Sequence, residues 1–148
     1  MPSTHTSLHV HVVFSTKARF PFIDVSWRER LHAYIGGTLN SLGATPLAVG
    51  GIEYHVHFLA GLMPKHAVAD LVREVKKSAT KWVTDELRVP KFSWQEGYGA
   101  FTVCREHLPA VTEYIRGQAE HHQHRTFQEE YRAFLEEWHI PFDERYLW

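Results

Sequence analysis

Glu53-Tyr54-His55-Val56-His57-Phe58-Leu59-Ala60-Gly61 is a short apolar run that carries two histidines one residue apart. Gly50-Gly51 marks a turn before it, and Pro64 closes it off. Bounded in this way, Glu53 to Leu62 reads as a strand. Residues i and i+2 of a strand face the same side, so His55 and His57 can offer two imidazoles to one point.

Working toward the N-terminus, Thr45 to Val49 reads as a short strand. Residues 26–43 read as a helix, because Trp27, Leu31, Tyr34, Ile35, Leu39 and Leu42 follow helical spacing. Asp24 or Ser26 can cap it, and Gly43 is suited to end it. Leu8 to Thr16 (LHVHVVFST) is rich in β-branched residues and reads as the first strand. Toward the C-terminus, Pro64 opens a helix of about Lys65 to Leu87. Its apolar face is Val68, Leu71, Val72, Val75, Ala79, Trp82 and Val83. Phe92 to Trp94 and Tyr98 to Cys104 read as strands around a Gln95-Glu96-Gly97 turn. A helix from Glu106 to His122 follows, with Pro109 in its first turn. Thr126 caps a last helix of 127–138, and the aromatic tail from Ile140 to Trp148 is expected to pack against the body of the chain.

The order is therefore β-α-β-β-α-β-β-α-α. Its first six elements match the split β-α-β pattern of ferredoxin-like folds, giving an α+β class with an antiparallel sheet, helices on one face and a C-terminal helix bearing Tyr114. In that topology the first and third strands are neighbours. The first carries its own pair, His9-Val10-His11, so two histidine pairs come to lie side by side.

The 148 residues, 44% of them apolar and 14% aromatic, suit a single domain over 1–148 with a substantial core. Met1 to Thr6 lacks the layout of a signal peptide, and no apolar run is long enough to cross a membrane. These features predict a soluble cytoplasmic protein. The lone cysteine, Cys104, excludes an internal disulfide and a multi-cysteine zinc site; it reads as a small apolar strand residue.

The net charge of −1 does not announce a nucleic-acid binder, but charge is distributed unevenly. Arg73, Lys77 and Lys81 form a stripe at i, i+4 and i+8, with Lys76 beside it, and Lys17 and Arg19 lie in a loop after the first strand. These six are the candidate DNA contacts, since phosphate neutralisation supplies much of nucleic-acid affinity. Glu129, Glu130, Glu136 and Glu137 offset them in the total.

A histidine pair by itself is more often a polar strand face than a metal site, because ligands need a third group and a supporting shell. Here a third group is at hand. Tyr114 and Gln118 are four residues apart on a predicted helix and share a face, with His121 and His122 roughly along it. A divalent cation, a polarised phosphate and a tyrosine hydroxyl together make a site able to cut a phosphodiester by covalent attack. His121, His122 and His11 are candidates for proton transfer or for supporting the ligands.

His55-Val56-His57, Tyr114-Ile115-Arg116-Gly117-Gln118, His121-His122 and Phe127-Gln128-Glu129-Glu130-Tyr131 together resemble the HUH-type single-tyrosine transposases of small insertion sequences. His11 to Lys17 and Tyr98-Gly99-Ala100-Phe101 add to the resemblance, which runs nearly end to end. It implies Mg²⁺ or Mn²⁺ held by His55, His57 and Gln118, with Tyr114 as nucleophile forming a 5′-phosphotyrosine bond. It also implies a homodimer whose active sites are completed between subunits, and single-stranded DNA ends with hairpins as substrates. Tyr54 stands where the family often has an acidic residue or Asn, and Gly117 where it often has Asn. Two other readings fit the same residues: a catalytically silent hairpin DNA- or RNA-binding protein of this fold, and a metal-dependent hydrolase of small phosphoesters in which Tyr114 is structural.

Overall fold

The computed structural model describes residues 3–121 and 125–146. Four strands, β1 (Leu8–Ser15), β2 (Thr45–Ile52), β3 (His55–Leu62) and β4 (Gly99–Thr102), form one antiparallel sheet in the order β2-β3-β1-β4. With α1 (Val25–Ser41) after β1 and α2 (Val68–Glu86) after β3, this is the expected ferredoxin-like arrangement.

The period-2 alternation of β1 and β3 divides the molecule. Val10, Val12, Phe14, Val56, Phe58 and Ala60 point to one face, where they meet Leu31, Ile35 and Leu39 of α1 and Val72, Val75, Ala79 and Val83 of α2. Each such buried side chain contributes about 1.5–3 kcal/mol of transfer free energy. The intervening residues, His11, Val13, His55, His57 and Leu59, point to the other face. They are covered there by α3 (Leu108–Arg116), α4 (Gln118–His121) and α5 (Phe127–Glu137). Ile115 of α3 packs on Ala48 and Leu59. Phe127, Tyr131 and Leu135 of α5 pack on Val13 and Phe101. α3 approaches β2 so closely that a Cβ on Gly50 would stand 2.1 Å from the carbonyl oxygen of Ile115.

Capping follows the sequence. Asp24 accepts a hydrogen bond from the Ser26 N–H and starts α1, Gly43 leaves it at φ 86°, and Thr126 accepts from the Glu129 N–H to start α5. Several expectations need correction. Phe92 to Trp94 is not a strand: Trp94 makes a single bridge to Thr16, and left-handed backbone at Arg88 and Lys91 turns the chain. The ammonium of Lys76 gathers the carbonyls of Gln95, Glu96 and Gly97 here, and the Trp94 indole N–H donates to the Lys76 carbonyl. α2 begins at Val68 rather than beside Pro64, because Met63 to His66 forms a turn. The long helix expected from Glu106 to His122 is broken into a 3₁₀ turn (Arg105–His107), α3 and α4; Gly117 at the end of α3 takes non-helical backbone. Cys104 is exposed at the start of that turn, 3.3 Å from Nδ1 of His107, and is not a strand residue. Ile140 and Phe142 of the tail are exposed rather than packed, and residues 147 and 148 lie outside the described ones. Among the described residues no helix is long and apolar enough to cross a membrane.

Candidate active site

β3 delivers His55 and His57 to the covered face because their spacing is that of a strand, and both are fully buried. Nε2 of His55 lies 3.0 Å from Oε1 of Gln118, whose amide N–H donates to the Tyr114 carbonyl at 3.2 Å. The i, i+4 relation of Tyr114 and Gln118 survives the break at Gly117, and this hydrogen bond ties the two turns together. The His57 and Tyr114 rings are 5.7 Å apart between centroids, edge to face. The four residues singled out in the sequence thus converge.

His11 joins them from the neighbouring strand, its Nε2 2.8 Å from Nδ1 of His57. Burial, and next the adjoining His57, pull the His11 imidazole down to about 3, so it is neutral at pH 7. Were His57 to donate to it through Nδ1–H, the Nε2 lone pair of His57 would face the Glu130 side, so the His11 contact bears on the tautomer. His9, two residues away, pairs with Gly61 nearer the other end of β1 and takes no part.

Glu130 was not singled out as a site residue. It is 2% exposed, and its Oε1 lies 2.9 Å from Nε2 of His57. Its one signal in the sequence is position: Phe127, Glu130 and Tyr131 occupy the apolar stripe of α5, where a carboxylate is out of place. Burial first, then the charge of Glu130 and a hydrogen bond to it, raise the Tyr114 hydroxyl well above the usual tyrosine range; Gln118 and Arg125 act the other way. The resting hydroxyl is therefore protonated and donates to the Glu130 carboxylate.

The donor set suits a divalent cation. The ligating atoms of His55, His57 and Glu130 all lie within 4.8 Å of one another. The 3.0 Å between His55 Nε2 and Gln118 Oε1 matches adjacent corners of an octahedron with bonds of about 2.1 Å. Two imidazoles with amide and carboxylate oxygens suit a hard or borderline divalent ion better than a soft, thiolate-seeking one.

His121 ends α4, and His122 lies outside the described residues. Arg73, Lys77 and Lys81 are exposed on α2, across the sheet from the histidines; Arg73 pairs with Asp70 at 3.0 Å and Glu74 at 3.7 Å. Lys76 is engaged with the loop carbonyls already described. Lys17 and Arg19 sit nearer, since the Thr16 N–H donates to the Tyr54 carbonyl at the entry to β3.

A ferredoxin-like sheet that buries a two-histidine, glutamine and carboxylate cluster beside a tyrosine defines an α+β class of protein with a site that could hold a metal ion. Residues 4–118 match the family of IS200-like transposases, and the chain belongs to that family. No curated protein matches the sequence. Among solved structures, the fold is similar to a candidate transposase from Deinococcus radiodurans R1, with a TM-score of 0.63 at 19% identity over 78% of this chain and 93% of that one. It is also similar to a REP-associated tyrosine transposase bound to a REP hairpin, with a TM-score of 0.55 at 14% identity over 78% of this chain and 70% of that one.

Proposed function

We propose that this transposase is a divalent-metal-dependent single-strand DNA endonuclease and strand transferase in which Tyr114 is the nucleophile. The observation that carries the reading is the convergence of His55, His57 and Gln118 at the ring of Tyr114, from a strand and two short helices distant in sequence. His55, His57 and Gln118 hold the cation, with Glu130 within reach of it. When bound, Mg²⁺ or Mn²⁺ supplies Lewis-acid neutralisation of the charge that grows on the scissile phosphate.

The Tyr114 oxygen attacks phosphorus, the bond to the 3′-oxygen breaks, and a 5′-phosphotyrosine forms. Tyr114 loses its proton to Glu130, which already accepts its hydrogen bond, and the proton passes to the departing 3′-oxygen. The phosphodiester is conserved as a phosphotyrosine ester, so a 3′-hydroxyl from another strand can reverse the reaction and join ends without a nucleotide cofactor. Lys17 and Arg19 contact the strand near the site; the stripe of Arg73, Lys77 and Lys81 contacts a hairpin stem across the sheet. Hairpin ends are supported by the structural neighbour bound to one. The working species is a homodimer; a partner's tyrosine helix is not needed to fill the site in this structure, where Tyr114 and Gln118 stand beside their own chain's His55 and His57.

The test is incubation with single-stranded DNA and Mn²⁺, followed by denaturing electrophoresis. A protein–DNA adduct is expected with the native chain and not with Tyr114→Phe, whereas His55→Ala/His57→Ala loses both the adduct and Mn²⁺ binding. Binding of hairpin DNA without any adduct would favour the silent DNA-binding reading, and turnover of a model phosphodiester by Tyr114→Phe would favour the hydrolase.

A further inference from the structure

Beside the histidine cluster a cavity of about 460 Å³ opens, sharing His11 and Tyr114 with it and lined also by the rings of Phe101, Phe134 and Trp138. Its volume lies in the range of clefts that take small organic ligands, roughly 300–1,000 Å³. The rings form a ladder. Tyr114 and Phe134 are 5.8 Å apart between centroids, Phe134 and Phe101 5.3 Å, and Phe101 and Trp138 6.1 Å, with the last pair tilted by only 33°. The ladder starts at the proposed nucleophile and ends at Trp138, which is 46% exposed.

Trp138 thus carries the row of rings from the cavity out to solvent. Glu137 and His107 also line the cavity, and among the described residues no lysine or arginine does. A phosphate is therefore unwelcome there, while a flat, uncharged, hydrogen-bonding ring is suited to it. The cavity adjoins the point where Tyr114 meets a phosphate, so one occupant is singled out. We propose that it receives an unpaired nucleobase adjoining the scissile phosphate, turned out of the strand and stacked on Phe134 and Trp138. This rests on the nuclease reading above. Anchoring that base fixes which phosphate faces Tyr114, because each nucleotide along the strand moves the phosphate by several ångströms.

The experiment uses the full chain and oligodeoxythymidylate carrying 5-iodouracil at one position, irradiated and mapped by peptide mass spectrometry. Crosslinks are expected at Phe101, Phe134 or Trp138. Ala110→Trp places a large side chain at the exposed rim of the cavity on α3. It should abolish those crosslinks and weaken binding of the oligonucleotide about tenfold, the order expected for losing one stacked base. Trp138→Ala, at an exposed position, should do the same and serves as the second variant if Ala110→Trp does not fold by circular dichroism. Crosslinks mapping wholly elsewhere, or unchanged affinity in the folded variants, would overturn the proposal. Crosslinks in the cavity together with no Tyr114 adduct on hairpin-bearing single strands in Mn²⁺ would keep the base site and refute the nuclease reading; an adduct with crosslinks elsewhere would do the reverse.

Discussion

Glu130 links the two halves of the site, touching His57 on one side and Tyr114 on the other. Glu130→Gln keeps an oxygen donor but cannot take a proton. It should lower the rate of adduct formation by about 10²–10⁴, the usual contribution of a positioned base, with Mn²⁺ affinity much less affected; single-turnover kinetics and metal titration separate the two. His55, His57, Tyr114 and Gln118 were legible in the sequence because each pair is set by a local period, two on a strand and four on a helix. Glu130 was not, since its role depends on how α5 docks, which no local pattern states. His32 is a residue of a different kind. Burial, and after it Arg28, lower its imidazole to about 4. Between pH 6.5 and 4 the unfolded chain binds a proton there that the folded chain does not, so this contribution is intact above 6.5 and is lost as pH falls through that window. In urea titrations, His32→Leu should lose about 1 kcal/mol less than the native chain between pH 7 and pH 5.

At the scale of elements, the tyrosine-bearing segment is set by two glycines. Gly117 ends α3, so that Gln118 restarts the chain as α4 against β2 and β3. The sequence showed a glycine in a helical pattern; that it divides the helix there depends on the sheet beneath. Gly50 makes the closer demand. A methyl group at Gly50 collides with the Ile115 backbone, which cannot yield without moving the residue next to Tyr114. Gly50→Ala should cost about 1–3 kcal/mol, the usual range for overpacking, and reduce adduct formation by more than the loss of folded protein accounts for. Chemical denaturation and the adduct assay on the same preparation check both. The strands β1 and β3 were readable from alternation and β-branched content. Phe92 to Trp94 was misread because its apolar residues fill the core from a loop, which a count of apolar residues cannot tell from a strand.

Across the whole molecule, the sheet separates two differently built layers. On one side a single broad apolar cluster joins α1 and α2 to β1 and β3; on the other, two small clusters hold α3 and α5 around a polar centre. The ferredoxin-like order was legible from the succession of elements, and the family from the motifs. The covering of the second face was not, because α3–α5 lie outside the repeating β-α-β pattern. His55, His57, Gln118 and Glu130 are shut in as described, so a phosphate reaches them only when that cover shifts. Cohesion is therefore graded through the thickness of the protein. Local opening is easiest where few apolar contacts resist it, and hydrogen exchange followed by mass spectrometry should find the amides of α3 and α5 exchanging well before those of α1 and α2. The reactive layer can loosen while the scaffold beneath keeps its two imidazoles in register, so admission of a strand and integrity of the fold draw on separate reserves.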